Sequence, residues 1–349
     1  MRLLICTQAV DRRDPVLGFF HGWIEAFARN CEHVYVICLF EGEHALPANV
    51  TVLSLGKETR GSRIQYLRRF FHYLWQYRRE YDAVFVHMNQ IYVLLGGLFW
   101  RLSGKRIVLW YAHGAVSFSL RIAEKLAQAI VTSTSEGFRL LSKKVRVVGQ
   151  GIDTSLFGRC PPREKTDEIR IVYVGRISPI KRCEVLIEAL AVLRERGEDA
   201  SVTLVGDTNA SNTREYHASL QKLVQDRGLA ARVTFTGGVP HERIVSYLCA
   251  ADVFANPSAT GSLDKAGVEA LAAGVPVVTS NEAFKGMLGA YADRLMFPNG
   301  DADALADRIA ALHRAPDRQA LTDALSEAVR KEHSVDSLIP RILAVLDRE

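Results

Sequence analysis

The sequence predicts an α/β protein built from two doubly wound, Rossmann-like parallel sheets in series. Three observations carry that expectation. The chain has 349 residues, 48% of them hydrophobic and 24% charged, enough length for two domains and enough apolar surface to bury two cores. Short apolar runs alternate with helical stretches, as strands do when helices cover both faces of their sheet. The alternation pauses once, over 153–167, where Gly158, Pro161, Pro162 and mixed charges read as a linker, and then restarts. The expected division is 1–160, 161–330, and a terminal helix over 331–349.

The run from Arg2 to Thr7 is short, apolar and ends in a polar loop, the mark of a buried parallel strand. A helical pattern over 23–29 follows Gly18 and Gly22. Strands are expected at 33–39 and 50–55, a helix at 63–80, a strand at 83–87, a helix at 91–103, and strands at 106–110, 129–132 and 144–148. After the linker come a strand at 169–175, a helix at 183–196, a strand at 201–206 and a helix at 214–227. Strands at 233–236, 253–255 and 275–279 continue the series. The tail is helical over 302–312, 318–333 and 335–346. Ligands of such sheets bind at the carboxyl ends of the strands, so a cleft between two facing domains is expected.

Charge and cysteines narrow the class. The net charge of +5 divides into +9 over residues 1–150 and −4 over 151–349. A basic first half and a mildly acidic second half suggest different partners for the two halves, and nucleic acid is not among them. The six cysteines (Cys6, Cys31, Cys38, Cys160, Cys183, Cys249) show no C-x-x-C spacing, against a zinc ribbon or thioredoxin-type site. Several sit in apolar stretches and read as small buried hydrophobes, and a reducing cytosol is expected. The opening stretch runs directly into Asp11, Arg12, Arg13 and Asp14, unlike a secretory signal. The longest apolar run, 91–100, is too short to span a bilayer. A cytoplasmic protein is expected.

Two stretches carry chemistry. In 256–278 a strand leads through a Gly-containing loop to a helix that ends at Gly274, and Val275-Pro276 then forces an extended exit. The backbone N–H groups opening that helix form an anion site. Glu269, beyond its first turn, can accept two hydrogen bonds from a vicinal diol such as a ribose. In 174–182 a strand ends and two cations, Arg176 and Lys181, stand five apart in the loop before a helix. They are either solvated surface charges or phosphate ligands, Arg gripping bidentately and Lys as a point charge.

Together these stretches, "GR-x-S-x-x-K…LI-x-A" and "PS…G…E-A-L-A-x-G-V-P-V-V", resemble the retaining glycosyltransferases of family 4 (glycosyl transferases group 1), which have the GT-B fold. "VVGQGIDTSLF" at 147–157 is also typical. The resemblance covers most of the chain and is strongest over 169–280. It implies that Arg176 and Lys181 hold the diphosphate of a nucleotide-sugar donor and that Glu269 holds its ribose. It implies that Gly238 and Val239 meet the base, with Gly206 nearby, and that Gly18 lets the donor phosphate approach the backbone. His113 matches the family's histidine near the sugar. The closing helices match a terminal segment that often crosses back to the first domain.

One position departs from the family. The pattern E-x7-E would place a first Glu at position 261, where this chain has Gly261. Ser262, Asp264 and Lys265 are the substitutes on offer, and the backbone N–H groups of Ser262 and Leu263 are placed to face phosphate or sugar. The mechanism implied is displacement at the anomeric carbon with net retention. Arg176 and Lys181 do the work a divalent metal does elsewhere, so no metal and no cofactor beyond the nucleotide-sugar co-substrate is expected. Asp301-Ala302-Asp303 spells D-x-D but reads better as a helix start. Rival readings are a nucleotide-sugar 2-epimerase on the same fold and a non-catalytic nucleotide-sugar-binding protein.

The helix over 63–80 has an apolar half (Ile64, Tyr66, Leu67, Phe70, Phe71, Tyr73, Leu74, Trp75) and an opposite side with Arg68, Arg69, His72 and Arg79 and no acid. Two readings stand: a sheet-packing helix with a solvated basic face, or a surface for anionic lipid or a lipid-phosphate acceptor. The second goes with a glycan or lipid-linked acceptor and with a peripheral position on the inner face of the cytoplasmic membrane. His87, ending a strand, is either an acceptor contact or a satisfied loop histidine.

Overall fold

The apolar runs of the first half become β1 (Arg2–Val10), β2 (His33–Glu41), β3 (Val50–Ser54), β4 (Ala83–His87), β5 (Arg106–Trp110), β6 (Ala129–Thr132) and β7 (Val145–Val147). Between them lie α1 (Phe19–Asn30), α2 (Arg63–Gln76), α3 (Ile91–Leu102) and α4 (Phe118–Leu126). The computed structural model describes residues 1–14, 16–161, 166–208, 211–258 and 261–347; Pro162 of the expected linker lies outside them. The seven strands form one parallel sheet in the order β3-β2-β1-β4-β5-β6-β7. Strands buried on both faces need no polar alternation, which is why Leu3, Ile5, Val84, Phe85 and Val108 sit in near-continuous apolar runs and are all fully buried.

The second half gives β8 (Ile169–Val174), α5 (Cys183–Glu195), β9 (Ala200–Val205), α6 (Ser211–Asp226), β10 (Val233–Gly237), α7 (Ile244–Ala250), β11 (Val253–Asn256), α8 (Lys265–Ala272) and β12 (Val277–Thr279). Then come α9 (Lys285–Leu288), α10 (Ala292–Leu295), α11 (Ala302–Arg314), α12 (Arg318–His333) and α13 (Val335–Asp347). The five strands pair in parallel in the order β10-β9-β8-β11-β12. In both sheets the winding reverses beside the first strand, between β1 and β4 and between β8 and β11. At such a switch point the two outgoing loops diverge and leave a crevice at the strands' carboxyl ends.

Chain contacts divide the protein into two units, Met1–Gly151 with Ser334–Glu349, and Ile152–His333. The last helix is part of the first unit. Val335, Leu338, Ile339 and Ile342 of α13 are buried in one core with Phe20, Trp23 and Phe27 of α1. Arg106 Nε and Arg341 Nη1 donate to the carbonyls of Val345 (2.8 Å) and Val148 (3.1 Å). The opposite face of that sheet is covered by α2, α3 and α4 through Phe70, Leu74, Tyr92, Trp100 and Leu120. The second unit has a single continuous core around β8–β12.

Two sequence expectations are corrected. Of the apolar half expected for the second helix, only Phe70 and Leu74 are buried, while Ile64, Leu67, Phe71 and Trp75 stand 41–69% exposed. The helix touches the sheet along one narrow seam, so residues a quarter-turn away find nothing to pack on. The cysteines are not all free thiols either. Cys160 and Cys249, 89 residues apart, form a disulfide, while Cys6, Cys31, Cys38 and Cys183 are free and buried. A separation that long leaves no local spacing signal. The helices α4 and α7 were also not foreseen: both are short, α7 starts without a side-chain cap, and α4 is marked only by Ser117, whose hydroxyl accepts from Leu120 N–H at 3.1 Å.

Candidate functional site

The loop leaving β8 is shaped by its own residues. Ile177 is fully buried and pins the loop to the core. Gly175 and Ile177 donate their N–H groups to the carbonyls of Val205 (2.9 Å) and Asp207 (3.1 Å), tying this loop to the one after β9. Pro179 then opens a single 3-10 turn, Pro179–Lys181, which Arg182 closes in the left-handed region (φ 52°). The turn aims Lys181 inward, its side chain 15% exposed, and it forms an ion pair with Asp264. Arg176 stays exposed on the same loop. Ser178 is buried at 5% exposure, and its hydroxyl has no hydrogen-bond partner among the described residues.

Gly206 explains how close the β8 and β9 loops come. A Cβ there would stand 1.9 Å from the carbonyl oxygen of Gly175, backbone against backbone. Its N–H donates to Gly237 O at 3.0 Å, which draws the end of β10 to the same edge. Gly238 continues that edge beside Asp207, and Val239 is half-buried against the core.

Across the switch point, β11 ends in Asn256, 1% exposed. Its side-chain amide donates to Asp264 Oδ2 at 3.1 Å, and the amide of Asn281 donates to the same oxygen at 3.3 Å and to Ser262 O at 2.7 Å. Asp264 occupies the N-cap position of α8 but makes no capping bond, because its carboxylate is held by Lys181 and the two asparagines. The helix therefore begins without a side-chain cap, and its first N–H groups and positive dipole end keep their affinity for an anion. Gly261 precedes this turn at φ 64°, a left-handed conformation that the Glu of the family pattern would adopt only with strain. Leu263 is buried and anchors the loop. Thr260 lies outside the described residues.

Glu269, on the fifth residue of α8, is 2% exposed. Its Oε1 lies 2.8 Å from His241 Nε2 and 3.8 Å from Lys265 Nζ. His241 comes from the turn after β10 and meets the edge of Phe157 at 5.2 Å between centroids. Burial pushes the Lys265 ammonium down to about 8, against the opposing pull of Glu269 and Asp153. Burial would raise Asp153, but hydrogen bonds from the Ser155 hydroxyl and the N–H groups of Leu156 and Ser155 outweigh it and hold the carboxyl below its usual range.

The Lys265 shift has a stability consequence. The unfolded chain protonates this lysine up to about 10.5 and the folded chain only to about 8. Between those values the unfolded state binds more protons, so this group adds stability as pH rises through that window. Urea unfolding at pH 7.5 and pH 10 should show wild type gaining on Lys265→Met at the higher pH; a gap independent of pH contradicts the shift.

The structure thus brings Arg176, Lys181, Gly206, Gly238, Val239, Gly261, Ser262, Leu263, Asp264, Lys265 and Glu269 to the carboxyl edge of one sheet. His241, Asn256 and Asn281 join them and were not singled out from sequence. His241 had one signal available, its place directly after a predicted strand; Asn281 had none, because only tertiary pairing sets it beside Asn256.

In the first unit, Gly18 and His113 lie beyond the carboxyl ends of β1 and β5, and His87 is the last residue of β4. Gly18 has a local reason to be glycine: a Cβ would meet the carbonyl oxygens of Asp14 at 2.6 Å and Arg12 at 2.8 Å. His113 is exposed, and its Nδ1 accepts from Ala115 N–H at 3.0 Å, which leaves the proton of the neutral ring on Nε2. His87 is 2% exposed, stacked on Phe20 at 4.0 Å and 3.4 Å from the Thr7 hydroxyl. That environment makes it a packed core histidine in the ligand-free protein. Asp301 caps α11 by accepting from Ala304 N–H at 2.9 Å, and Asp303 pairs with Arg196 at 3.4 Å, so both acids of the D-x-D triplet have structural roles. Among the described residues no three His, Cys, Asp or Glu side chains gather as metal ligands.

Comparison with known proteins bears on this edge. Residues 159–332 match the family model described as glycosyl transferases group 1. The chain is similar to a D-inositol 3-phosphate glycosyltransferase of Mycobacteroides abscessus, 31% identical over 208 residues (55% of this chain, 45% of that protein). It is similar to a GDP-mannose-dependent alpha-(1-6)-phosphatidylinositol monomannoside mannosyltransferase of Mycolicibacterium smegmatis, 36% identical over 143 residues (37% and 36%). A putative colanic acid biosynthesis glycosyltransferase, WcaL of Escherichia coli, is 29% identical over 196 residues (54% and 46%). The matches span less than half the length of these relatives. Among solved structures, Anabaena Alr3699/HepE in complex with UDP superposes with a TM-score of 0.78 at 19% identity over 99% of both chains. WaaG, a glycosyltransferase involved in lipopolysaccharide biosynthesis, does so with 0.67 at 15% identity over 99% of this chain and 100% of that one. At those identities the likeness shows the fold, two parallel-sheet α/β units of the GT-B type.

Proposed function

Starting from a chain that belongs, through residues 159–332, to the group 1 glycosyl transferases, we propose that it moves a sugar from a nucleotide-diphosphate sugar to a glycan or lipid-linked saccharide acceptor, with retention and without a metal. The observation that carries this reading is the edge of the second sheet, where Lys181, the uncapped start of α8 and the buried Glu269 converge. A diphosphate and a ribose need those groups: cations and N–H donors for the phosphate oxygens, a fixed carboxylate for the vicinal diol.

In the proposed reaction the bond from the anomeric carbon to the diphosphate breaks, a bond to the acceptor hydroxyl oxygen forms on the same face, and the hydroxyl proton passes to the departing diphosphate oxygen. Negative charge grows on the leaving diphosphate. Arg176, Lys181 and the α8 N–H groups meet it already oriented, which lowers the barrier without reorganisation at the moment of reaction. Lys181 passes from Asp264 to the diphosphate on binding, and Asp264 keeps its two amide donors. Glu269 takes the ribose on Oε2, since both of its contacts fall on Oε1. His113, with its proton on Nε2, is assigned to a sugar hydroxyl. The acceptor reading draws support from relatives named for inositol phosphate and phosphatidylinositol mannoside acceptors. It places the protein in the cytoplasm, peripherally at an anionic membrane; no described helix is long and apolar enough to cross one.

A thermal-shift screen against UDP-, GDP- and ADP-sugars tests the proposal. One series is expected to raise the melting temperature, and the same donor should be slowly hydrolysed when no acceptor is present. Binding without any turnover would favour a non-catalytic nucleotide-sugar-binding protein, the reading that Gly261 in place of Glu keeps open.

A further inference from the structure

The outer surface of the α2–α3–α4 layer is where this chain departs most from an ordinary soluble exterior. Among the described residues fourteen large hydrophobic side chains are exposed, and nine of them lie on these three helices. On α2 they follow helical spacing, Ile64, Leu67, Phe71 and Trp75, at 69%, 41%, 46% and 62% exposure. On α3 Leu98 and Leu102 are 63% and 81% exposed. The helices lie side by side. Phe70 of α2 meets the rings of Tyr92 and Trp100 of α3 at 5.7 and 6.2 Å, and Gly97 of α3 is closely approached by Leu126 of α4. The apolar residues therefore share one face of the first unit. Scattered exposed hydrophobics need no explanation, but a stripe at helical spacing, joined by others on helices that cover the same face of the sheet, does.

The charges on these three helices are positive except for one acid. The helix α2 carries Arg63, Arg68 and Arg69 and no acid, α3 carries Arg101 and no acid, and α4 carries Arg121 and Lys125 with Glu124. Glu124 is turned to the Ser142 hydroxyl (2.6 Å) and Lys144 (3.8 Å). Arg78 lies over the Trp75 ring at 4.1 Å. Exposed aromatic and aliphatic tips ringed by arginine match a surface that is apolar below and anionic above.

We infer that the α2–α3 face inserts its exposed apolar side chains into an anionic membrane, with Ile64, Leu67, Phe71, Trp75, Leu98 and Leu102 entering the headgroup boundary and Arg63, Arg68 and Arg101 binding lipid phosphates. The sequence left this helix open between a sheet-packing helix with a solvated basic face and a surface for anionic lipid; the exposed apolar stripe extends the second reading. Insertion of apolar area and attraction to anionic headgroups add, and neither alone anchors a protein firmly. The inference deepens the membrane clause of the proposed function and involves no donor chemistry, so it stands or falls separately from the transferase assignment.

The test uses the full chain without nucleotide. Trp75 is the reporter, because Trp23, Trp100 and Trp110 are at most 3% exposed. With vesicles of phosphatidylcholine and phosphatidylglycerol at low salt, the protein is expected to float with the lipid, shift its tryptophan emission to the blue, and be quenched by brominated acyl chains. Leu67→Ser/Phe71→Ser, which keeps Trp75, should weaken partitioning by about 100-fold. Arg63→Gln/Arg68→Gln, which leaves the Arg101 bond to Lys125 O in place, should abolish the preference over pure phosphatidylcholine and its sensitivity to salt. All of these positions are exposed, so unchanged circular dichroism and melting temperature are expected for both variants. Absence of binding or quenching overturns the inference, as does equal binding to neutral vesicles. A concentration-dependent dimer that blue-shifts Trp75 without lipid also overturns it, by showing that a second copy covers the face.

Discussion

Lys181→Met is expected to weaken binding of a nucleoside diphosphate by about 2–4 kcal/mol, roughly 30- to 1000-fold, and binding of the corresponding nucleoside hardly at all. The asymmetry follows from position. Lys181 reaches the crevice from the turn after β8, and its ammonium is already drawn inward by Asp264. A buried cation whose partner is a carboxylate can exchange that partner for a phosphate at small cost, whereas methionine offers the phosphate nothing. Asp264→Asn is the matching control. It removes the group that competes for Lys181 in the ligand-free protein and retains polar atoms for Asn256 and Asn281, so diphosphate affinity should not fall. Calorimetric titration of both variants checks the pair of expectations. Equal losses of nucleoside and diphosphate affinity in Lys181→Met would show that the side chain props up the site rather than holding phosphate.

Gly206→Ala is expected to be the most damaging single methyl in the second unit. The new carbon would sit 1.9 Å from Gly175 O, and no side chain is available to move aside. Overpacking that must shift two backbone segments costs about 3 kcal/mol or more. The strands β8 and β9 would separate at the edge that carries Arg176 and Lys181. Urea unfolding should register the loss, and the folded fraction should bind nucleotide weakly. A variant with wild-type midpoint and slope would contradict the close approach.

Much of this architecture was legible in the sequence because parallel sheets advertise themselves. Strands such as β1, β4 and β8 carry near-continuous apolar runs, and Gly274 and Asp301 mark helix ends at C′ and N-cap as their chemistry requires. The placement of the candidate site was legible: Lys181, Arg176 and Glu269, singled out from sequence, all lie at the carboxyl edge of the second sheet. What escaped depends on tertiary neighbours. Phe71 and Trp75 look as apolar as Phe70 and Leu74, and only the width of the groove on the sheet decides which pair is covered. His241 and Asn281 gain their significance from Glu269 and Asp264, partners 28 and 17 residues away. The Cys160–Cys249 bridge is the same case at longer range. His87 shows the converse, since a strand-end histidine that sequence left open between an acceptor contact and a satisfied loop histidine is buried and stacked on Phe20.

The central claim is that Glu269 receives the ribose of a nucleotide-sugar at the switch point of the second sheet. Isothermal titration calorimetry of Glu269→Ala with the nucleoside diphosphate selected by the thermal-shift screen, and with its nucleoside, tests it most directly. The account predicts that both lose affinity by about 2–4 kcal/mol, because the ribose is common to both, while circular dichroism shows the fold retained. Wild-type affinity for either ligand would contradict it.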